Sequence, residues 1–281
     1  MKSKTEFTKR DLIVVIGIAI FPLANIAAVG SRGRQRAKEA VCLSNLRQWG
    51  AIFSMYLGDN EGIFMRGWWT SGPEPINPHK DYWMEALRPY YGNNHKLRCC
   101  PEAVIPGTEI GQGPYGGVQP DATFYAWGAF AGECGQPSPS WYWTVACDYG
   151  SYGINGYVQN PPLSTGTYQG HDPKWNWRIA NVAGVDNIPL LLDAQWVDGW
   201  PHHTNDPPAF QGQRWDSVDM MKRFCLNRHN GFVNCAFLDF SARKVGLKEL
   251  WRLKWHRMFD LTYPLPDWEA EAPWMKDFQD Y

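Results

Sequence analysis

LIVVIGIAIFPLANIAAVGS, residues 12–31, decides how this chain is built. It holds no ionisable side chain; Lys9 and Arg10 precede it, and Arg32, Arg34, Arg36 and Lys38 follow it. A helix of roughly 20 residues at about 1.5 Å each spans the ~30 Å hydrocarbon core of a bilayer. A secretory signal peptide has the same order of parts, and Ala28-Val29-Gly30 supplies a small-residue cleavage site. The apolar centre of such a peptide is usually about 7–15 residues, however. Here the run is longer and the helical pattern continues beyond it, which predicts an uncleaved membrane anchor.

Past Gly33, Cys42, Leu46, Trp49, Phe53 and Tyr56 recur at spacings of four, three, four and three, with Ile52 beside them. That spacing draws an apolar stripe along a helix, and Arg36, Glu39, Arg47 and Gln48 occupy the polar side. Asp59-Asn60-Glu61-Gly62 supplies turn residues and a glycine to stop it. One helix from about Thr8 to Gly58 would reach roughly 75 Å. Pro22 and Gly17 are tolerable in a membrane helix. Its first half would lie in lipid and its second half under a globular head. The expected organisation is an N-terminus (1–11), a transmembrane part (12–31), an amphipathic part (32–62) and a single head (63–281).

Composition fits that division. The 281 residues carry 27 basic and 28 acidic side chains, a net charge of -1, so no overall field favours nucleic acid. A mean hydropathy of -0.44 excludes a polytopic membrane protein. Sixteen Trp, 27 Gly and 21 Pro favour turns, loops and short strands in the head. Of the seven cysteines, Cys42, Cys99, Cys100, Cys134, Cys147, Cys225 and Cys235, none forms a C-x-x-C pair or a zinc-type spacing. Either a disulfide joins two of Cys99, Cys100, Cys134 and Cys147, as an oxidising compartment would allow, or they are reduced and buried.

Within the head, Trp83–Leu87 predicts a short helix ending before Pro89. Gly150–Tyr157 suggests strand and turn pieces, and Ile188–Asp193 a buried strand with its proline at the start. The glycines of Gly111–Gly116 lack the flanking strand and helix of a phosphate loop. Arg223–Asn227, Phe232–Leu238 and Ala242–Leu247 are separated by His229-Asn230-Gly231 and Asp239-Phe240-Ser241. Asn-Gly is a strong hairpin turn, so this region predicts a three-stranded antiparallel meander. The fold expected is α+β: a long N-terminal helix packed on an antiparallel sheet with long loops, without internal repeats or a second domain.

Three segments carry a resemblance. Glu6-Phe7-Thr8-Lys9-Arg10-Asp11, followed by the apolar run, resembles the N-terminus of bacterial type IV prepilins and type II secretion pseudopilins. Phe7 and Thr8 match, and Asp11 stands at the family's glutamate. Glu6 replaces the glycine of the cleavage site, and Lys9-Arg10 replace an apolar pair. Lys38–Trp49 is similar to the R-x-x-x-C-x-S-N-L-[KR]-Q segment of large pseudopilin-like proteins. His229 and Asp239 match their H-x9-D-G segment, with Phe240 at the glycine. The resemblance implies a non-enzymatic assembly protein of a secretion or pilus-type apparatus. It would be single-pass in the bacterial inner membrane with its head on the periplasmic side. Its partners would be membrane lipid and other copies or pilin-like subunits, met through the N-terminal helix. The resemblance implies that Asp11 would pair with a neighbour's N-terminal amine, which exists only where the chain is cut after Glu6.

The residues that bear chemistry are Asp193, Asp198, His202, His203 and Asp206, with His229 and Asp239. Histidines and carboxylates can ligate a metal, but His202 and His203 are adjacent and would face opposite ways on a strand. No nucleophile–base pair or metal spacing appears. The expectation is therefore no catalytic, cofactor or metal site, with His229 and Asp239 bonding turn backbone instead. Trp68, Trp69, Trp141, Trp143, Trp175, Trp177, Trp196 and Trp200 would pack loops onto the sheet. The alternative is a glycan-stacking surface on a membrane-tethered glycan-binding or glycan-cleaving protein.

Overall fold

A computed structural model describes residues 9–67, 81–92, 94–103, 105–106, 123–128, 149–164, 166–213 and 218–281, with backbone alone for residues 9–29, 31, 106 and 128. The backbone of the apolar run and the amphipathic stripe belong to one helix, α1 (Lys9–Asp59). Cys42, Leu46, Trp49, Ile52, Phe53 and Leu57 are buried, while Arg36, Arg47 and Gln48 are exposed. Asn60 donates its side-chain amide to the Tyr56 carbonyl, and Gly62 (φ 75°) returns its N–H to Leu57. These bonds satisfy carbonyls that the helix end leaves open. Among the described residues no helix is long and apolar enough to cross a membrane. The side chains of the predicted anchor, 12–31, and of Asp11 lie outside them, Gly30 excepted.

A second helix, α2 (Trp83–Tyr91), crosses Pro89 instead of ending before it. The last turn is held by Gly92 in the left-handed region and by Tyr91, whose ring meets Trp49 at 5.0 Å. Tertiary packing outweighs the proline there. β1 (Ile105–Pro106), β2 (Tyr125–Gly128) and β3 (Tyr149–Gly150) form a small sheet in that order. Beyond Ser151 the chain enters the main sheet through β4 (Tyr152–Asn155). β5 (Pro189–Asp193), β6 (Asp198–Gly199), β7 (Phe232–Phe237) and β8 (Ala242–Gly246) complete it in the order β6-β4-β5-β7-β8.

The architecture is thus α+β, with two corrections. The main sheet is mixed, not antiparallel throughout, because β6 lies parallel to β4. The meander has only two of its three strands, β7 and β8, paired from Phe232↔Gly246 to Ala236↔Ala242. Met220–Arg223 winds into a 3-10 turn, because the Arg223 guanidinium turns inward to Asp198 at 2.8 Å. The other neighbour of β7 is β5, 41 positions upstream at Asp193 and Asn234.

α1 lies across β5, β7 and β8 and against α2. At Gly50 the helix backbone lies close against the Phe240 backbone: a Cβ there would sit 2.6 Å from the Phe240 carbonyl oxygen. Phe240, at the position where the resemblance expects glycine, holds φ at 66°. The conformation that favours glycine is kept, and a bulky side chain bears the strain. Lys244 on β8 and Glu102 form ion pairs with Glu39 and Lys38 of α1.

Candidate functional site

Four chain segments converge where α1 crosses β5. Cys42 faces inward from the helix. Cys100 follows the 3-10 turn His95–Arg98, and Ser151 Oγ accepts its backbone N–H at 2.7 Å. Asp193 ends β5, opposite Tyr152 of β4. His229 precedes the Asn230-Gly231 turn, where both residues have positive φ and His229 donates its N–H to the Phe232 carbonyl. The Asn-Gly signal therefore marks a real tight turn, but one that leads into β7 from a loop instead of joining two strands.

All four side chains are buried. Cys42 Sγ lies 3.7 and 3.8 Å from the two Asp193 oxygens, and Cys100 Sγ 3.5 Å from His229 Nε2. His229 Nε2 lies 3.1 Å from Asp193 Oδ2. Tyr152 donates its hydroxyl to Cys42 Sγ at 3.2 Å. Around this group the carboxylate is clamped: Asn234 donates its backbone N–H to Oδ2 at 2.8 Å, and Arg228 Nη1 reaches Oδ1 at 3.2 Å. Arg228 also donates to the carbonyls of Thr123, Tyr125, Ser151 and Ala194, so a buried guanidinium is fully bonded.

The electrostatics follow from that packing. Burial opposes charge on Asp193, but the His229 ring and the Arg228 guanidinium hold its carboxyl down at about 2. Burial likewise opposes charge on His229, and the Asp193 carboxylate overrides it, holding the ring up at about 10. Burial pushes the Cys100 thiol well above its ordinary value. His229 therefore does not serve the turn through its side chain, as expected from its position; it is bound to Asp193. Asp239 does hold its turn, accepting the N–H and hydroxyl of Ser241 at 2.9 and 2.7 Å.

The remaining candidates separate. Asp198 pairs with Arg223 and accepts the Tyr82 hydroxyl at 3.0 Å. Asp206 is exposed. His202 and His203 lie in a loop, which frees them from the alternation of a strand, and they come together with His256, a residue that its sequence neighbours did not mark. Each of these three rings accepts a backbone N–H at Nδ1, from Thr204, Asp260 and Met258 respectively. Burial lowers His202 to about 4; burial and then the neighbouring rings lower His256 to about 2. A neutral ring that accepts at Nδ1 carries its proton on Nε2 and has no lone pair left for a metal. The cluster is aromatic packing, with Trp175 stacked on His256 at 4.8 Å.

Trp177 and Trp200 are buried and Trp175 and Trp196 partly so, with the Trp177 indole donating to the Trp255 carbonyl at 2.9 Å. These four pack loops onto the sheet. Trp68, Trp69, Trp141 and Trp143, the Gly111–Gly116 segment, and Cys134 and Cys147 lie outside the described residues. Cys42, Cys99, Cys100, Cys225 and Cys235 are free, buried thiols. The chain matches no family model, no curated protein and no solved structure.

Proposed function

We propose that this protein is a pseudopilin-like, membrane-anchored assembly protein of a type II secretion or type IV pilus-type system. It is non-enzymatic, sits single-pass in the bacterial inner membrane, and carries its head on the periplasmic side. The observation that carries this reading is the division of α1. From Cys42 onward one face of the helix is buried in the head, whereas Arg32 to Ala37 are all exposed. The helix thus leaves the head where its arginines begin, next to the uncharged run 12–31. Basic residues there suit anionic lipid headgroups, and an apolar helix segment withdrawn from lipid can bury against its counterparts in other copies. That is the physical basis for self-association through the helix.

The test is membrane fractionation of the full chain with N-terminal and intact-mass analysis, followed by crosslinking from cysteines introduced singly between positions 14 and 28. Retention after carbonate extraction, an intact run 12–31 and crosslinks between copies are expected. A soluble product beginning near Ser31 would show a signal peptide instead. An anchored chain that never crosslinks to another copy would remove the assembly role.

A further inference from the structure

We propose that Cys42, Cys100, Asp193 and His229 bind one divalent transition ion, zinc by their chemistry, as a closed structural centre that fastens α1 to the sheet. The inference stands whether or not α1 enters a membrane.

In a tetrahedron with bonds of about 2.0–2.3 Å, ligand atoms lie roughly 3.3–3.8 Å apart. With Asp193 Oδ2 as the carboxylate ligand, the separations here are 3.1 Å to His229 Nε2 and 3.8 Å to Cys42 Sγ, with 3.5 Å between Cys100 Sγ and His229 Nε2. One ligand atom from each of the four residues falls within 4.8 Å of every other. Two thiols, an imidazole and one carboxylate form a borderline-soft set, which suits zinc and not calcium or magnesium.

The surroundings fit an ion as well. The ion's two positive charges and the Arg228 guanidinium balance two thiolates and a carboxylate, so the buried centre is neutral. Tyr152 is placed to donate to the Cys42 thiolate, while Arg228 and Asn234 fix the carboxylate from outside. His229 differs from the three-histidine cluster in the respect that matters. Its Nδ1 accepts no N–H and is buried without a partner. The ring proton can therefore sit there and leave the Nε2 lone pair for the ion. Binding sends to solvent the two thiol protons and the Nε2 proton that His229 shares with Asp193. Four buried protein ligands leave no open coordination position, so the centre is structural and not catalytic.

The experiment uses the full chain in detergent, stripped with chelator under reducing conditions and titrated with Co²⁺. Expected are one ion per chain, a sulfur-to-cobalt charge-transfer band with the strong visible absorption of tetrahedral cobalt, and loss of both on adding zinc. Cys42→Ala and Cys100→Ala should each weaken binding at least about tenfold, and Cys235→Ala, a buried thiol outside the group, should not. Because a variant can fail to fold, the wild type supplies a second readout. At a denaturant concentration where the metal-free chain opens enough for Cys42 and Cys100 to be alkylated, zinc should protect both, located by peptide mass. Substoichiometric cobalt, a spectrum unchanged in Cys100→Ala, or equal alkylation with and without zinc would each overturn the proposal. So would protein purified without reductant that is lighter by two hydrogens through a Cys42–Cys100 disulfide.

Discussion

Replacing Trp49 with alanine should unfold the head far more easily than any change on the outer face of α1. The indole is fully buried, meets Trp83 edge-on at 5.4 Å and Tyr91 at 5.0 Å, and donates to the Leu97 carbonyl at 2.8 Å. Truncating such a side chain costs about 3–5 kcal/mol through lost transfer energy and the cavity left behind. The orphaned Leu97 carbonyl puts the loss toward the upper end, since a broken buried hydrogen bond is worth about 1 kcal/mol or more. Trp49→Phe keeps most of the aromatic contact and loses the N–H, so about 1–2 kcal/mol is expected. Met55→Ala, on the exposed side of the same helix, should stay within about 0.5 kcal/mol. The assay is guanidinium denaturation of the detergent-solubilised chain followed by near-ultraviolet circular dichroism, with the slope compared among variants. A Trp49→Ala midpoint equal to that of Met55→Ala would refute the docking of α1 on the head.

Two further outcomes follow from the same packing. Gly50→Ala should destabilise by about 1–3 kcal/mol despite alanine's better helix propensity, because its Cβ meets the Phe240 carbonyl. Gly58→Ala, with nothing within 4 Å, should stabilise by up to about 1 kcal/mol; equal signs for the two in thermal melts would contradict the close approach. The buried histidines predict acid sensitivity. His171 and His256 are lowered by burial to about 4 and about 2. Rings with depressed folded-state values contribute fully above the unfolded value of about 6.5 and lose that contribution as pH falls toward the folded value. His256 alone should cost about 2 kcal/mol by pH 5. His256→Asn, which keeps an acceptor for the Met258 N–H, should flatten stability between pH 6.5 and 4.5, and an unchanged slope would show that the ring is not the cause.

Local periodicity carried α1 from Cys42 to Leu57, the glycine stop after it, and β5 with its proline, because each is dictated by residues within a few positions. Phe240 could also be read locally, since a glycine position in a turn stays left-handed when the residue changes. Pairings across the chain could not be read that way. β6 comes to lie beside β4 because Asp198 seats Arg223 and the Tyr82 hydroxyl, contacts with no sequence spacing to announce them. His229 was assigned to its turn because only its neighbours were in view, whereas its partner Asp193 is 36 residues away. One signal was available: Cys42 and His229 both fall in the segments that carry the pseudopilin resemblance.

The distance along the chain between Cys42 and Asp193 also sets a clock on biosynthesis. Their contact joins residues 151 apart, and that of Cys100 with His229 joins residues 129 apart. At about 5–20 residues per second, roughly 8–30 s separate the emergence of the helix stripe from that of the strand that covers it. Through that interval Leu46, Trp49 and Phe53 belong to an amphipathic segment without its sheet. Co-translational folding of the head therefore cannot proceed from the N-terminus. The helix waits, and the docking event is triggered by the last third of the chain.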